Sequence, residues 1–311
     1  MSLHPTSLNG QLAILLACFL WGTTGIASSF APEVSPLAVG AFSMGVGGLL
    51  QALVSAKILR KNVSNIRKIP KTWLVGVLGV IVYPLAFYSA MRFAGVAVGN
   101  VVSLASAPFF AVILECLISK KWPSTRWLVS LLIGVVGITL LAMNKNATSV
   151  VGQSDHLHLL GVGLGLLAGL SYGVYSFVAK TMIEQQIDSR AAMASLFLGA
   201  AVILLPSLFI TGEHLFANTV NSVSILYIAF LPMFIGYLAF GYGLRSVNAS
   251  QATLMTLLEP VIAATLAVWL LEEVINVSGW IGMGLIIVCL VLQFTKPKPP
   301  RGKGGLAGSG I

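Results

Sequence analysis

The stretch SQATLMTLLEPVIAATLAVWLL, residues 250–271, decides how this chain folds. An apolar run of this length can cross about 30 Å of hydrocarbon as a single helix. Glu259 and Pro260 stand side by side near its middle. A charge at that depth is costly and a proline removes a backbone hydrogen bond, so both residues need local compensation. They are therefore the first candidates for a functional site.

The composition of the whole chain agrees with a membrane location. Apolar residues make up 57 % of the 311 residues and charged residues only 9 %, whereas soluble domains carry about 25 % charged residues. The apolar residues form continuous runs, which argues against the alternating pattern of an outer-membrane barrel. The runs are approximately 8–30, 35–56, 72–93, 96–118, 125–143, 158–179, 191–210, 222–244, 249–271 and 278–295. We therefore predict an all-α integral membrane protein with ten transmembrane helices.

Basic residues are distributed unevenly over the connections between these runs. If the N-terminus is cytoplasmic, all but two of the 18 Lys and Arg residues fall on the cytoplasmic side; the exceptions are Arg92 and Lys145. Cytoplasmic loops carry such an excess of positive charge. We therefore predict a multi-pass inner (plasma) membrane protein with both termini in the cytoplasm. The same rule explains the net charge of +9 without a nucleic-acid partner. The Pro-, Gly- and Lys-rich residues 296–311 are predicted to form a disordered cytoplasmic tail.

The second half of the chain repeats the pattern of the first. LLACFLWGTTG at 15–25 matches LLAGLSYGVYS at 166–176 with an offset of 151, and Pro108 and Pro260 are 152 residues apart. A spacing of 153 recurs between Arg92 and Arg245 and between Trp127 and Trp280. Each half then holds five spans, an odd number, so the second half enters the membrane from the opposite side. Such inverted repeats with a site between them are typical of alternating-access carriers. We predict two five-helix repeats, residues 1–150 and 151–295.

Three strings resemble the drug/metabolite transporter superfamily, in its ten-span branch of amino-acid and metabolite exporters. They are FLWGTTG (19–25), RFAGVAVGN (92–100) and LLEPVIAATLAVWLLEE (257–273). The resemblance covers essentially residues 8–295, and within the branch the chain looks most like bacterial exporters of aromatic amino acids. It implies a secondary transporter that exports small amphipathic metabolites, aromatic amino acids among them, through a central cavity. Many relatives carry an Arg early in the second span, whereas LAVGAFSMG (37–45) has none. The partner of a substrate carboxylate therefore stays open.

A cavity for an apolar metabolite needs aromatic walls and a few polar groups. Trp21 and Tyr172 occupy matching mid-span positions in the two repeats, and several other polar or aromatic side chains fall inside spans. The predicted lining is Trp21, Tyr83, Tyr88, Asn100, Ser103, Tyr172, Tyr175, Tyr237, Thr256 and Glu259. The predicted hinges are Gly22, Pro108, Gly173 and Pro260. Helix–helix hydrogen bonding is an equal alternative for the hydroxyl groups, and a structural kink is the alternative for the Glu–Pro pair.

Other classes of function have less support. No GxxxxGK[ST] loop occurs, so nothing indicates that ATP drives the process. The three cysteines have no metal-ligand spacing, and neither a metal nor a cofactor is predicted. An intramembrane enzyme would need a nucleophile with a base, or paired carboxylates, but the mid-span acids Glu115 and Glu259 lie in different helices. A drug or organic-cation carrier, a nucleotide-sugar carrier and a channel stay open. The expected partners are a small-molecule substrate and the lipid bilayer.

Overall fold

The computed structural model describes residues 8–144, 155–272 and 274–294, which form helices and connections with no strand among them. Among these residues, ten helical segments are long and apolar enough to span a membrane, which confirms the predicted all-α fold with ten transmembrane helices. We call them the first to tenth spans, in chain order. They are Leu8–Ser29, Pro36–Val54, Pro70–Ala94, Val98–Leu117, Thr125–Met143, His156–Glu184, Ser189–Thr211, Thr219–Gly243, Ala249–Leu270 and Val277–Phe294. The predicted tail at 296–311 lies outside the described residues.

The ninth span is interrupted where the sequence places the Glu–Pro pair. One helix ends at Met255 and the next begins at Leu258. A tight turn joins them, in which the Glu259 N–H donates to the Thr256 carbonyl at 3.0 Å. Glu259 and Pro260 thus lie in the first turn of a helix, where N–H groups have no intrahelical acceptor and negative charge is favoured. The break therefore supplies the compensation that both residues need.

Two other spans are irregular. The first span consists of Leu8–Gly22 and Thr24–Ser29. The eighth contains a π-helix, Ala229–Gly236, between two α-helical pieces. Helices of this kind are rare, and they occur frequently at functional sites. The Pro232 carbonyl inside it accepts a hydrogen bond from the Trp21 indole N–H at 3.0 Å. Irregular turns are thus stabilised by side chains of neighbouring spans.

The spans of the two halves interleave. The most extensive contacts join the third span to the sixth, the second to the seventh, the fourth to the sixth and the fifth to the tenth. The first span packs against the eighth and ninth. These contacts are consistent with a correspondence between spans one to five and spans six to ten. If each span is exchanged for its counterpart, the third–sixth pair becomes the eighth–first pair, and the fourth–sixth pair becomes the ninth–first pair. The same exchange maps the second–seventh and fifth–tenth pairs onto themselves.

The fifth and tenth spans approach closely through glycine. A Cβ added to Gly137 would lie 2.8 Å from the carbonyl oxygen of Gly282, and a Cβ added to Gly282 would lie 2.7 Å from the backbone nitrogen of Leu141. No larger residue fits either position without separating the backbones. Small residues allow this close approach between membrane helices. The two spans therefore meet backbone to backbone.

A short amphipathic helix, Ala56–Arg67, connects the second and third spans. Its apolar side chains Ile58 and Leu59 pack against the main core, and Ile66 is buried. Its basic side chains are exposed; they are Lys57, Arg60, Lys61 and Arg67. The side chain of Asn62 accepts a hydrogen bond from the backbone N–H of Asp188 at 3.2 Å. This contact attaches the short helix to the connection between the sixth and seventh spans.

Candidate functional site

Aromatic side chains from the two halves meet at the centre of the bundle. The ring centroids of Trp21 and Tyr237 are 4.7 Å apart, and those of Tyr83 and Tyr172 are 5.4 Å apart. Tyr172 also stacks on Tyr175 at 5.2 Å. Aromatic pairs prefer such offset or tilted arrangements at this range of distances. The sequence-predicted aromatic residues therefore form one cluster, built from the first, third, sixth and eighth spans.

A cavity adjoins this cluster. Its inner cleft has a volume of about 50 Å³. Six predicted residues line that cleft: Trp21, Tyr83, Tyr88, Tyr172, Tyr237 and Glu259. A larger chamber of about 530 Å³ shares part of the same wall and includes Gly22, Asn100 and Pro260. Small-molecule sites typically have volumes of about 300–1,000 Å³. The chamber is therefore large enough for a small metabolite, with the cleft as its narrow inner end.

The chamber reaches one end of the bundle. Its lining includes Ser29, the last residue of the first span, and Pro36, the first residue of the second. It also includes Arg92, in the last turn of the third span. If the charge distribution sets the orientation as predicted, this end faces away from the cytoplasm.

Cross-span contacts close the opposite end. The Glu115 carboxylate of the fourth span accepts hydrogen bonds from the Ser250 N–H at 3.0 Å and the Ser250 hydroxyl at 2.5 Å. The buried Cys18 thiol of the first span lies 3.6 Å from the Met255 carbonyl oxygen, to which it donates. The side chains of Glu115 and Ser250 are both buried. The Glu115–Ser250 contact joins the two halves on the side away from the chamber, and the Cys18–Met255 contact joins them near mid-span.

One acidic and one basic side chain in the cavity have no ion-pair partner. Glu259 lines both the cleft and the chamber, and within the described ranges its carboxylate makes no hydrogen bond or ion pair. Arg92 lines the chamber and likewise forms no ion pair with any acidic residue of the described ranges. Charged groups at membrane depth normally pair with one another or with polar groups. An unpaired acid and an unpaired base in one cavity are therefore available to a ligand.

Three predicted lining residues do not reach the cavity wall. Ser103 and Thr256 are fully buried, and their hydroxyls donate to the carbonyls of Gly99 and Thr253, each at 2.7 Å. The Tyr175 hydroxyl lies 3.0 Å from that of Tyr237 in a buried pair. Back-bonding to the preceding helical turn satisfies the two small hydroxyls, so these bonds lie within one helix and are not the helix–helix bonds that the sequence left open. Tyr175 thus contacts the cavity residue Tyr237 without lining the cavity itself.

The predicted hinges differ in their surroundings. A Cβ at Gly22 would lie 2.7 Å from the side chain of Ile262, and a Cβ at Gly173 would lie 3.0 Å from the backbone nitrogen of Ala111. Both glycines therefore sit at close helix contacts. Pro260 follows the break in the ninth span, whereas Pro108 lies inside the continuous helix Val96–Leu117. The two repeat-related prolines thus have different local geometries.

Several cavity residues were not predicted. Thr24 lines both cleft and chamber, and its buried hydroxyl has no hydrogen-bond partner in the described part of the chain. Its neighbour Thr23 is instead bonded, through Oγ1, to the Leu20 carbonyl and the Tyr227 hydroxyl. Nothing in the string FLWGTTG distinguishes these two threonines. The signal for Arg92 was its place as one of only two basic residues predicted outside.

Comparisons with known proteins agree with this architecture. The model of the EamA-like transporter family matches two segments of the chain, residues 8–143 and 159–295. The uncharacterized transporter YwfM of Bacillus subtilis is 32 % identical over 295 residues, which cover 94 % of this chain and 95 % of that protein. The uncharacterized inner membrane transporter YicL of Salmonella typhimurium is 22 % identical, over 91 % of this chain and 94 % of its own length.

A solved crystal structure shares the fold. It is 17 % identical in sequence and has a TM-score of 0.76, with 92 % of this chain and 96 % of that chain covered. The family matches confirm the resemblance to the drug/metabolite transporter superfamily, while the aromatic amino-acid branch stays a prediction. The ten spans, the cavity and the two family matches lead to one assignment. The chain is a multi-pass membrane transporter and belongs to the EamA-like transporter family.

Proposed function

We propose that this chain is a secondary transporter that exports small amphipathic metabolites by alternating access, with aromatic amino acids as its preferred cargo. The observation that carries the proposal is the combination, in one cavity, of aromatic walls with the unpaired side chains of Glu259 and Arg92. A zwitterionic amino acid carries a positive ammonium group that can pair with Glu259 and a negative carboxylate group that can pair with Arg92. Its aromatic side chain would occupy the chamber beside Trp21 and Tyr88.

Arg92 is the proposed partner of a substrate carboxylate, which the sequence left open. The second span has no Arg for a substrate carboxylate, but the third span brings Arg92 to the same chamber. A guanidinium group binds carboxylates through two parallel hydrogen bonds and keeps its charge at every physiological pH. The position near the chamber mouth also keeps this strongly charged group out of the membrane centre. Arg92 is therefore our choice for the carboxylate partner.

Alternating access rests on the proposed pair of inverted repeats, residues 1–150 and 151–295. Two observations support it: the packing of spans maps onto itself when spans are shifted by five, and the family model matches twice. Carriers of this kind bind substrate at broken helices near the repeat interface. The breaks at Thr23 and Thr256 flank the cavity. The cavity reaches one end only, as expected of a single state of such a cycle.

An organic-cation carrier is a second candidate, and the unpaired Glu259 among aromatic rings favours it. Aromatic faces attract cations, and an adjacent carboxylate strengthens that attraction. The two candidates differ at Arg92, because an organic cation without a carboxylate gains nothing from a second positive charge. Substitution of that residue therefore separates them.

The test is uptake into liposomes that hold the purified full-length protein. Labelled phenylalanine, alanine and tetraphenylphosphonium are compared, with and without the unlabelled compound trapped inside. We expect saturable phenylalanine uptake that trapped phenylalanine accelerates. Arg92→Gln should reduce phenylalanine uptake roughly ten- to a hundredfold, as expected for loss of a charge-assisted hydrogen bond. Arg126→Gln, at the opposite end, is the matched control.

The outcomes separate the candidates. If Arg92→Gln spares tetraphenylphosphonium uptake but abolishes that of phenylalanine, the cavity is an amino-acid site. If only tetraphenylphosphonium is transported, the amino-acid assignment is wrong and the organic-cation carrier stands. Flux that neither saturates nor responds to trapped substrate would indicate a channel. Glu259→Gln should weaken uptake of either cargo, because both present a positive charge to that carboxyl.

A further inference from the structure

We propose that a groove beside the amphipathic helix Ala56–Arg67 binds an anionic phospholipid, independently of the transported solute. The groove has a volume of about 500 Å³ and is separate from the central cavity. The short helix, the third span and the seventh span form its walls. The apolar lining includes Leu59, Val63 and Ile66 from the short helix, Trp73 from the third span, and Leu198 and Val202 from the seventh span.

The walls of the groove fit an acyl chain. Its lining is mostly aliphatic, and Val202 is 69 % exposed on the outer face of the bundle. Exposed apolar surface on a membrane-spanning helix contacts lipid tails. The groove therefore opens sideways to the bilayer, and a lipid chain can enter it without crossing water.

The rim of the groove fits an anionic headgroup. Arg67 lines the groove, and Arg60 lies two helical turns before it on the same side of the short helix. Both guanidinium groups are exposed and form no ion pair within the described residues. Asp188 lies beside the helix, but its carboxylate is engaged by Arg190 at 3.6 Å. The rim thus carries a positive charge that no neighbouring acid neutralises.

A third feature provides a neutral hydrogen-bond donor. The indole Nε1 of Trp73 is buried beside the groove and has no hydrogen-bond partner among the described residues. Tryptophan at the membrane interface commonly places its N–H at headgroup level. Lipid phosphate and ester oxygens are acceptors at that level. An anionic phospholipid therefore complements all three features of the groove. Its headgroup oxygens can accept from Trp73, its negative charge can pair with Arg60 and Arg67, and its acyl chain can pack on the apolar wall.

The location favours anionic lipid over another occupant. Five basic residues lie within the connection that holds the short helix, namely Lys57, Arg60, Lys61, Arg67 and Lys68, and Lys71 follows in the first turn of the third span. Clusters of this size next to a membrane helix are typical of sites for acidic lipids on the cytoplasmic leaflet. A second copy of this chain would bring an equal positive charge to the same surface. Electrostatic repulsion therefore disfavours a dimer through this groove.

Native mass spectrometry of the full-length protein tests the proposal. Phosphatidylglycerol and phosphatidylcholine with identical chains are added to the detergent-solubilised protein, and the bound lipids are counted. We expect preferential binding of phosphatidylglycerol. Arg60→Gln with Arg67→Gln should weaken it about 30-fold, since each cation near a headgroup contributes about fivefold. Lys120→Gln with Arg126→Gln removes the same charge elsewhere on that predicted side and should change binding little.

A second variant tests the apolar wall. Val63→Trp places a bulky ring in the groove and should reduce binding of phosphatidylglycerol while leaving every charge intact. Equal binding of the two lipids by the unmodified protein would overturn the proposal. Equal losses in the groove variant and the Lys120/Arg126 control would also overturn it, because they would show a diffuse charge effect. A lipid-free dimer that Val63→Trp dissociates would assign the groove to a second copy instead.

Discussion

Replacing Glu115 by alanine should open the closed end of the cavity. The Glu115 carboxylate joins the fourth span to the start of the ninth through two hydrogen bonds to Ser250, at 3.0 and 2.5 Å. Alanine removes both acceptors and leaves the buried N–H of Ser250 without its partner. The contact joins the two proposed halves on the side away from the chamber. Its loss therefore destabilises the observed state relative to one open at this end.

The size of this shift in the conformational equilibrium follows from the two hydrogen bonds that are lost. Hydrogen bonds to charged groups contribute about 1.5–3 kcal/mol each in soluble proteins, but side-chain bonds inside membranes average about 0.6 kcal/mol. Loss of the pair should therefore shift the equilibrium by about 1–3 kcal/mol, which is about 5- to 150-fold in population. Glu115→Gln keeps one acceptor oxygen for the N–H and should give a smaller shift.

Cys18 provides the assay. Its buried thiol packs against the ninth span at the middle of the first span, so separation of the first and ninth spans should make it accessible. The rate of alkylation by N-ethylmaleimide is measured with Cys116→Ser and Cys289→Ala in the background. Glu115→Ala should raise the rate by the same 5- to 150-fold, roughly in proportion to the open population.

Partial unfolding would also expose Cys18, and a second background distinguishes the two explanations. With Cys289 as the only cysteine, alkylation reports on the fifth and tenth spans, which opening should not separate. Opening accelerates the reaction of Cys18 alone, whereas unfolding accelerates both. Ser278→Ala removes an exposed hydroxyl at the start of the tenth span and serves as the control substitution. An unchanged Cys18 rate in Glu115→Ala would refute the idea that this contact holds the end closed.

Two further substitutions probe the centre of the bundle. Gly22→Ala places a Cβ 2.7 Å from Ile262, and such overpacking should cost about 1–3 kcal/mol, measured as a lower thermal unfolding temperature in detergent. Gly25→Ala, with open space around its Cβ position, is the matched control and should be nearly neutral. Tyr237→Phe removes the 3.0 Å contact with the Tyr175 hydroxyl and should cost about 1 kcal/mol in the same measurement. If Gly25→Ala destabilises as much as Gly22→Ala, close packing is not the cause.

The spans and the cavity differ in how far the sequence determines them. Membrane helices follow from local composition, because each must present continuous apolar residues to lipid. The ten spans were therefore predicted, with boundaries within a few residues of those observed. A hinge or a kink at Pro260 was also predicted, since a proline removes a backbone hydrogen bond, and the helix is interrupted just before it, between Met255 and Leu258. These properties depend on residues close together in the chain.

The direction of each side chain depends on neighbours that the sequence does not specify. In a membrane protein the lipid-facing and core-facing sides of a helix are both apolar, so periodicity separates them poorly. Ser103 and Thr256 share helical faces with other polar residues, yet their hydroxyls bond to their own helix. Pro108 and Pro260 match in the repeat, yet only one follows a break. Cross-span contacts such as Glu115 with Ser250 were beyond sequence reasoning for the same reason.

The backbone contact between Gly137 and Gly282 has a mechanical consequence. Packing of bare backbone on backbone is lost with very small displacements, whereas long side chains can adjust their rotamers as helices slide. The fifth–tenth pair should therefore act as the fulcrum when the proposed halves move. Displacement grows with distance from a fulcrum, so a rotation too small to disturb these glycines should move the ninth span, which packs against the fifth and tenth, less than the second and seventh spans, which do not. A joint of bare backbones at one side of the bundle would thereby give the longest lever arm to the spans that lie away from it.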